Sequence, residues 1–171
     1  MTDGIITLRA LEPTDLDSLL RWENDSSLWC VGNTIAPYSR KQLWEYIETY
    51  EADIFKSRQL RLMIETADNH QAIGTIDLYD FDPGNQRAFV GILIDGKFGH
   101  RGYGSRVLQL IADYARNFIG MHQLVAIVPE HNTHSLRLFT KCGYTPIATL
   151  PSWLRFGNTR QNATLFQLIL K

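Results

Sequence analysis

The sequence is poor in the residues that disulfide-rich and metal-binding domains depend on. It has 171 residues and two cysteines, Cys30 and Cys142, which lie far apart and fit no metal-ligand spacing. We therefore expect neither a disulfide framework nor a metal site, and predict a cytoplasmic protein with reduced thiols. Cys142 directly precedes a glycine and is predicted to be a small, partly buried core residue rather than a nucleophile.

An excess of charge of either sign is also missing. Lys and Arg total 17 and Asp and Glu total 18, which gives a formal net charge of −1. The basic residues are dispersed and do not alternate with aromatic residues, as they do on many nucleic-acid-binding surfaces. No apolar run is long enough to span a bilayer. The composition argues against direct nucleic-acid or membrane partners and favours a single domain over residues 1–171.

Apolar spacing in the first half of the chain predicts strands and helices together. One helix is expected to be capped at Thr14, and a second to begin behind Ser39 and Gln42, which form a capping-box pair. The later strands of this half are separated by turn-forming Asp, Asn, Pro and Gly residues, so we expect an antiparallel meander. The predicted strands cover residues 5–9, 60–65, 72–79 and 87–94.

The second half is expected to form one βαβ unit followed by a helix and a hairpin. A helix over residues 105–118 is predicted to bury a face that ends at Phe118, and a parallel strand should follow at residues 124–128. Pro151 indicates an edge strand or a bulge in the final hairpin, residues 147–156 and 159–170. Together these elements predict an α/β (α+β) fold with a mixed, mostly antiparallel sheet of six or seven strands and about four helices.

A glycine-rich loop lies between an apolar run and a helix. Residues 99–105 read Gly-His-Arg-Gly-Tyr-Gly-Ser and follow the apolar run at residues 90–94. Glycines let backbone amides approach an anion, and the first turn of a helix offers unpaired N–H groups at the positive end of its dipole. The loop predicts a phosphate-bearing cofactor, although Gly102 and Gly104 fit a strand-to-helix turn without a ligand equally well.

A second motif follows downstream. Asn132 begins a helix that contains Leu138-Phe139 and ends at Gly143. The loop and this helix together resemble the two marks of the GNAT superfamily of N-acetyltransferases: a (Gln/Arg)-x-x-Gly-x-(Gly/Ala) loop and an Asn-x-x-Ser/Ala-x-x-Leu-(Tyr/Phe)-x-x-x-Gly-(Phe/Tyr) helix. Residues 6–15 are similar to the start of the spermidine and ribosomal-protein (alanine) N-acetyltransferase branch, so the resemblance covers nearly the whole chain.

The resemblance implies a fold, a reaction and a site. In the fold, the sheet splays between the strand that ends at Ile94 and the strand that begins near Leu124. In the reaction, a primary amine attacks the thioester of acetyl-CoA directly; the acceptor is unassigned among polyamines, protein N-termini and small-molecule amines, and a homo-oligomer is compatible with the family. The positions implied to bind acetyl-CoA are Ile92, Leu93, Ile94, Gly99, His100, Arg101, Gly102, Tyr103, Gly104, Ser105, Asn132, Ser135 and Phe139.

Three positions depart from the family pattern. Phe89 stands where the polyamine branch often has Glu, Phe139 where many relatives have a proton-donating Tyr, and Gly99 where Gln or Arg is usual. The catalytic base and acid are therefore unassigned. The remaining candidates for catalysis are Asp77, Ser135 and Tyr144.

Two other functions stay open at this point. The order of a strand, a glycine turn and a helix is also typical of a dinucleotide-binding oxidoreductase. However, the third glycine of the dinucleotide-binding motif is missing here, and only one βαβ unit is predicted. The phenylalanines at positions 89 and 139 also fit an acyl-CoA-binding module without turnover. The neutral run at residues 31–36 weighs against a polyamine acceptor.

Overall fold

A computed structural model describes residues 1–29, 34 and 36–171. Cys30 and most of the neutral run at residues 31–36 lie outside the described residues. Seven strands form one sheet in the order β1-β2-β3-β4-β5-β7-β6, in which β4 and β5 are parallel and every other neighbouring pair is antiparallel. The predicted mixed, mostly antiparallel sheet is confirmed. The strands are β1 (Ile6–Arg9), β2 (Leu60–Thr66), β3 (Ala72–Asp82), β4 (Arg87–Ile94), β5 (Gln123–Pro129), β6 (Thr145–Phe156) and β7 (Thr159–Ile169).

The described part of the chain contains five α-helices, where about four were expected. The additional helix is α3, a single turn in which Asp53 accepts a hydrogen bond from the Phe55 amide at 2.9 Å. A helix this short has no apolar period to detect. None of the helices in the described residues is long and apolar enough to cross a membrane. The helices are α1 (Leu16–Glu23), α2 (Arg40–Glu48), α3 (Ile54–Ser57), α4 (Tyr103–Tyr114) and α5 (Thr133–Lys141).

The sheet separates two apolar clusters. Met63 and Leu93 pack with α1 and α2, whereas Leu62, Ile64 and Ile92 pack with the cluster that contains α4 and α5. Neighbouring residues of β2 and β4 thus alternate between the clusters, as a strand covered on both faces requires. We call the surface under α1 and α2 the α1/α2 face.

The start of α1 differs from the prediction. Thr14 is not its cap, because a 3₁₀ turn over Pro13–Asp15 comes first and α1 begins at Leu16. The Glu12 amide donates to Asp15 Oδ2 at 2.9 Å, which stabilises this turn. In contrast, the Ser39 and Gln42 capping box at α2 is confirmed, with bonds of 3.2 and 2.8 Å.

Phe118 was predicted to be buried and is 80% exposed. The α-helix α4 ends at Tyr114, and a π-helical turn follows over Ala115–Ile119. The wider hydrogen-bond spacing of a π turn changes the direction in which the next side chains point, so the 3.6-residue period no longer applies to Phe118.

The C-terminal hairpin closes one side of the sheet. Strand β7 lies between β5 and β6, so β6 is an edge strand. Its register shifts between Leu150 and Leu154, next to Pro151, which confirms the edge and bulge predicted there.

Candidate active site

Strands β4 and β5 pair for three residues and then diverge. The parallel partners are Arg87 with Gln123, Ala88 with Leu124 and Phe89 with Val125. Beyond this point, residues 90–94 pair only with β3 and residues 126–129 only with β7. The edge of β4 that faces β5 therefore presents backbone N–H and C=O groups without a sheet partner, and the expected central splay is present.

The side chains at the end of β4 are used for packing. Ile92 and Ile94 contact the cluster that contains α4, and Leu93 contacts the cluster of α1 and α2. All three residues are partly buried. On the side of the splay, β4 therefore offers its backbone N–H and C=O groups. An extended ligand that adds to the edge of a sheet binds to groups of this kind.

The glycine-rich loop links the end of β4 to α4. A 3₁₀ turn over Gly96–Phe98 comes first, and the Gly99 amide donates to Gly96 O at 3.2 Å. His100 and Gly102 both have left-handed backbone conformations, with φ of 61° and 80°. These residues reverse the chain so that α4 begins at Tyr103.

The first turn of α4 has no side-chain cap. Gly102 occupies the capping position, and the N–H groups of Tyr103, Gly104 and Ser105 have no partner within the helix. In α5, by contrast, Asn132 Oδ1 accepts from the Ser135 amide at 3.1 Å. The start of α4 therefore combines donors and a positive dipole end in the arrangement that binds phosphate groups.

The two motifs predicted from sequence lie against each other. A Cβ atom at Gly104 would lie 3.0 Å from Cδ2 of Leu138, so the glycine allows α4 and α5 to approach closely. The rings of His100 and His134 meet edge to face at 5.2 Å. The guanidinium of Arg101 lies 5.5 Å from the centre of the Phe98 ring and adds positive charge beside the loop.

The sequence model of one protein family, described as an acetyltransferase (GNAT) domain, matches residues 6–145. The chain belongs to this GNAT family. The resemblance inferred from the loop and α5 is thus confirmed. Members of the family transfer the acetyl group of acetyl-CoA to an amine.

Two curated relatives are N-acetyltransferases of Bacillus subtilis strain 168. The probable N-acetyltransferase YjcK is 31% identical over 106 residues, which cover 61% of this chain and 56% of that protein. The uncharacterized N-acetyltransferase YoaA is 25% identical over 131 residues, which cover 77% of this chain and 74% of that protein. The chain therefore spans little more than half the length of the first relative.

Solved structures of spermidine N-acetyltransferase from Vibrio cholerae have the same fold. The crystal structure in complex with CoA and spermine has a TM-score of 0.86 at 21% identity and covers 98% of this chain and 97% of that chain. A dodecameric structure in an intermediate state has a TM-score of 0.81 at 21% identity and covers 98% of this chain and 95% of that chain. The fold excludes the dinucleotide-binding alternative, because such domains are built on a mostly parallel sheet.

The two aromatic replacements are packed in different places. Phe89 stacks on Tyr79 with 5.5 Å between ring centres, at the last parallel pair before the splay. Phe139 is 3% exposed and contacts the rings of Tyr144 and Phe166 at 5.0 and 6.0 Å. Neither phenylalanine has a proton to give or take, so neither can serve as a general base or a general acid.

The three candidates for catalysis are not brought together. Asp77 lies on the α1/α2 face, where its carboxylate accepts from Arg61 at 2.7 and 3.3 Å. Ser135 lies in the first turn of α5 and is partly buried. Tyr144 lies in the opposite cluster at 2% exposure, and its hydroxyl has no hydrogen-bond partner among the described residues. Burial raises the pKa of Tyr144, so this hydroxyl stays protonated.

A polar network that the sequence did not reveal lies on the α1/α2 face. Arg61 joins Asp77 of β3 to Glu23 of α1, whose Oε1 lies 2.8 Å from Nη1, and the Tyr46 ring lies 5.7 Å from the guanidinium carbon. Burial disfavours charged Arg61, but Asp77, Tyr46 and Glu23 outweigh it and raise its pKa. Burial also raises the pKa of Tyr46 to about 12. No local motif joins these residues, since they meet only through sheet register and the docking of α1 and α2.

Asp95 connects α1 to the beginning of the loop and was also missed. Its carboxylate accepts from Trp22 Nε1, Arg21 Nη2 and the Lys97 amide, each at 3.0 Å. Burial tends to raise the pKa of Asp95, but these bonds outweigh it and lower that pKa. The available signal in the sequence was an aspartate directly after an apolar strand.

Proposed function

We propose that this chain transfers the acetyl group of acetyl-CoA to a primary amine in the slot between β4 and β5. The observation that carries the proposal is the three-residue parallel pairing, which leaves the edge of β4 open directly before the uncapped first turn of α4. A pantetheine arm can add to such an edge through its amides, and a diphosphate suits the helix terminus. The residues proposed to hold acetyl-CoA are Ile92, Leu93, Ile94, Gly99, His100, Arg101, Gly102, Tyr103, Gly104, Ser105 and Asn132, with Ser135 and Phe139 beside them.

Acetyl-CoA supplies an activated acetyl thioester, and the chain supplies orientation and electrostatics. The backbone N–H groups of Ile92 and Ile94, which alternate with those bonded to β3, are the proposed donors to the developing oxyanion. A lysine-like amine has a pKa of about 10.4, so the acceptor must lose a proton before its nitrogen attacks the thioester. A thiol with a cysteine-like pKa of about 8.5 leaves as thiolate without much help, so Phe139 is compatible with turnover.

We propose a cationic aliphatic amine as the acceptor. Glu23 and Asp77 supply two negative charges to the α1/α2 face and Arg61 one positive charge, so the network carries a net charge of −1 that favours an ammonium group. The Vibrio cholerae relative is described in complex with spermine, which makes polyamines the first compounds to test. Protein N-termini and small-molecule amines are the remaining candidate acceptors.

We also propose that the chain assembles with copies of itself, because the same relative is described as dodecameric. Light scattering on the purified protein measures the assembled mass directly. A monomer at all concentrations would remove this part of the proposal and leave the catalytic part intact.

The catalytic proposal is tested by release of free CoA thiol from acetyl-CoA in the presence of spermidine, aminoglycosides, amino acids and N-terminal peptides of ribosomal proteins. We expect release that depends on one class of amine. Binding of CoA is measured separately by titration calorimetry. CoA binding with no amine-dependent release would favour the non-catalytic acyl-CoA-binding module instead.

A further inference from the structure

One position on the α1/α2 face lacks a side chain at the point where the sheet opens. Gly91 lies opposite Asp77 of β3 and two residues beyond Phe89, whose pairing with Val125 is the last before the splay. Outside its chain neighbours, a Cβ atom at Gly91 would meet only two described atoms within 4 Å: Tyr79 Cε1 at 3.6 Å and Asp77 Cβ at 3.9 Å. The glycine therefore leaves a notch between an aromatic ring and a carboxylate-bearing residue.

The fold itself does not require glycine at this position. Gly91 is not among the residues with positive φ, and contacts of 3.6 and 3.9 Å are ordinary van der Waals distances. Gly74 on the neighbouring strand is different, because a Cβ atom there would lie 2.0 Å from the carbonyl oxygen of Leu93. Glycine weakens a strand interior, and one recurrent reason for its presence there is the close approach of a ligand or of another backbone.

The groups around the notch suit an alkylammonium ion. The Tyr79 and Phe89 rings stack at 5.5 Å and form an aromatic wall. Burial raises the pKa of Tyr79 to about 12, with further contributions from Asp80 and Asp77, so its hydroxyl is neutral. Aromatic faces and a net negative charge both attract organic cations.

We infer that Gly91 is the specificity-determining opening through which an unbranched primary alkylamine reaches the acyl donor. This inference rests on the proposed function. A ligand strand that runs from the loop back along β4 passes residues 94 to 92 and arrives beside Gly91, over a span of about 10 Å at ~3.3 Å per residue. At that end of the slot, Gly91, Phe89 and Tyr79 are only partly buried.

The chemistry at this opening balances without a further reactant. The amine nitrogen forms a C–N bond to the carbonyl carbon, and the C–S bond breaks. The ammonium gives up two protons in total: one is taken by the departing CoA thiolate and the other by solvent.

The test compares Gly91→Ala with Gly84→Ala, on the acceptor found in the amine panel. Gly84 lies in the β3–β4 turn, where a Cβ atom would lie 3.5 Å from Asp82 Oδ1, so the control makes the same change away from the splay. We expect Gly91→Ala to lower kcat/KM for the amine by about tenfold or more, because a small displacement of the nucleophile costs rate steeply. Its CoA affinity by calorimetry should match that of the wild type and of Gly84→Ala, and its melting temperature should be no lower than theirs.

Binding of the amine is also measured in the absence of turnover, through its effect on the melting temperature. The rise in melting temperature caused by the same amine, in the absence of acetyl-CoA, should be smaller for Gly91→Ala than for the control. Unchanged kcat/KM and unchanged amine binding would overturn the inference, as would a loss of CoA affinity or failure to fold, since each would give Gly91 another role. A wild-type protein that is silent on every amine would overturn the proposed function as well.

Discussion

At residue 139 a buried phenylalanine stands where many GNAT enzymes have a proton-donating tyrosine. The ring lies against Tyr144 and Phe166, and Tyr144 is itself only 2% exposed, so its hydroxyl is shielded from the solvent. Sequence alone identified this departure, because the helix motif aligns residue by residue. It could not show that the ring belongs to the core.

Restoring the hydroxyl tests whether protonation of the thiolate limits turnover. If protonation of the thiolate limits turnover, Phe139→Tyr raises kcat by up to about tenfold, since general acid catalysis commonly contributes more than that. Steady-state kinetics at saturating acetyl-CoA measure the effect. Phe166→Tyr, which places a hydroxyl elsewhere in the same aromatic group, is the control and should not raise kcat. An unchanged kcat in Phe139→Tyr would mean that thiolate protonation is not limiting.

Arg101 is the arginine of the glycine-rich loop. It is exposed and rests on Phe98, so its removal should leave the fold intact. Arg101→Ala is expected to raise the KM for acetyl-CoA by about tenfold, the size of one hydrogen bond to a charged group, with little change in kcat. Arg116→Ala, in the π turn beyond the far end of α4, serves as the control. Equal KM values for the two variants would remove Arg101 from the site.

At the scale of elements, the helices and strands are held by polar clusters that no sequence period predicts. Helix α1 reaches β2 and β3 through Glu23 and Arg61, and reaches the loop through Trp22 and Asp95. The capping box of α2 and the glycines of the loop were predictable, because their signals lie within a few residues. The π turn after α4 and the single turn of α3 were not, because neither follows the apolar period of an α-helix.

Removal of Arg61 should destabilise this arrangement. Arg61→Ala leaves Glu23 and Asp77 without their counter-ion, and we expect the free energy of unfolding to fall by about 2–3 kcal/mol, as for a mostly buried ion pair that loses one partner. Arg40→Ala removes the exposed ion pair with Asp17 and should change the free energy of unfolding by less than about 0.5 kcal/mol. Urea denaturation of both variants measures the difference. Equal effects would show that the Arg61 network does not anchor α1.

The pairing of β1 with β2 predicts a loss of stability in acid. The Arg9 hydrogen bond to Glu65, at 2.5 Å, is the main reason that the Glu65 pKa lies below its ordinary value of 4.5, while burial opposes it. A carboxylate with a lower pKa in the folded state stabilises the protein above its unfolded pKa, and this stabilisation is lost as pH falls through the folded pKa. Melting temperatures between about pH 7 and pH 3 should therefore drop below about pH 4.5, and the drop should be shallower in Glu65→Gln. Parallel curves for the two proteins would contradict this assignment.

At the scale of the whole molecule, the splay was implied by the family resemblance that the two motifs carry, and six or seven strands were expected from the apolar pattern. The meander, the single crossover around α4 and the final hairpin were predictable because each depends on local turns and short connections. The pairing of Arg61 with Asp77 and the notch at Gly91 depend on register between strands distant in sequence. The glycine inside the apolar run 90–94 was visible, but its meaning required the neighbouring strand.

The measurement that tests the central claim most directly is the fate of an isotopically heavy acetyl group supplied as acetyl-CoA with the amine panel. The account predicts that mass spectrometry finds the heavy acetyl on the nitrogen of a primary aliphatic amine, with one free CoA thiol released for each amine modified. Tight binding of CoA with no labelled amine in any reaction would contradict it.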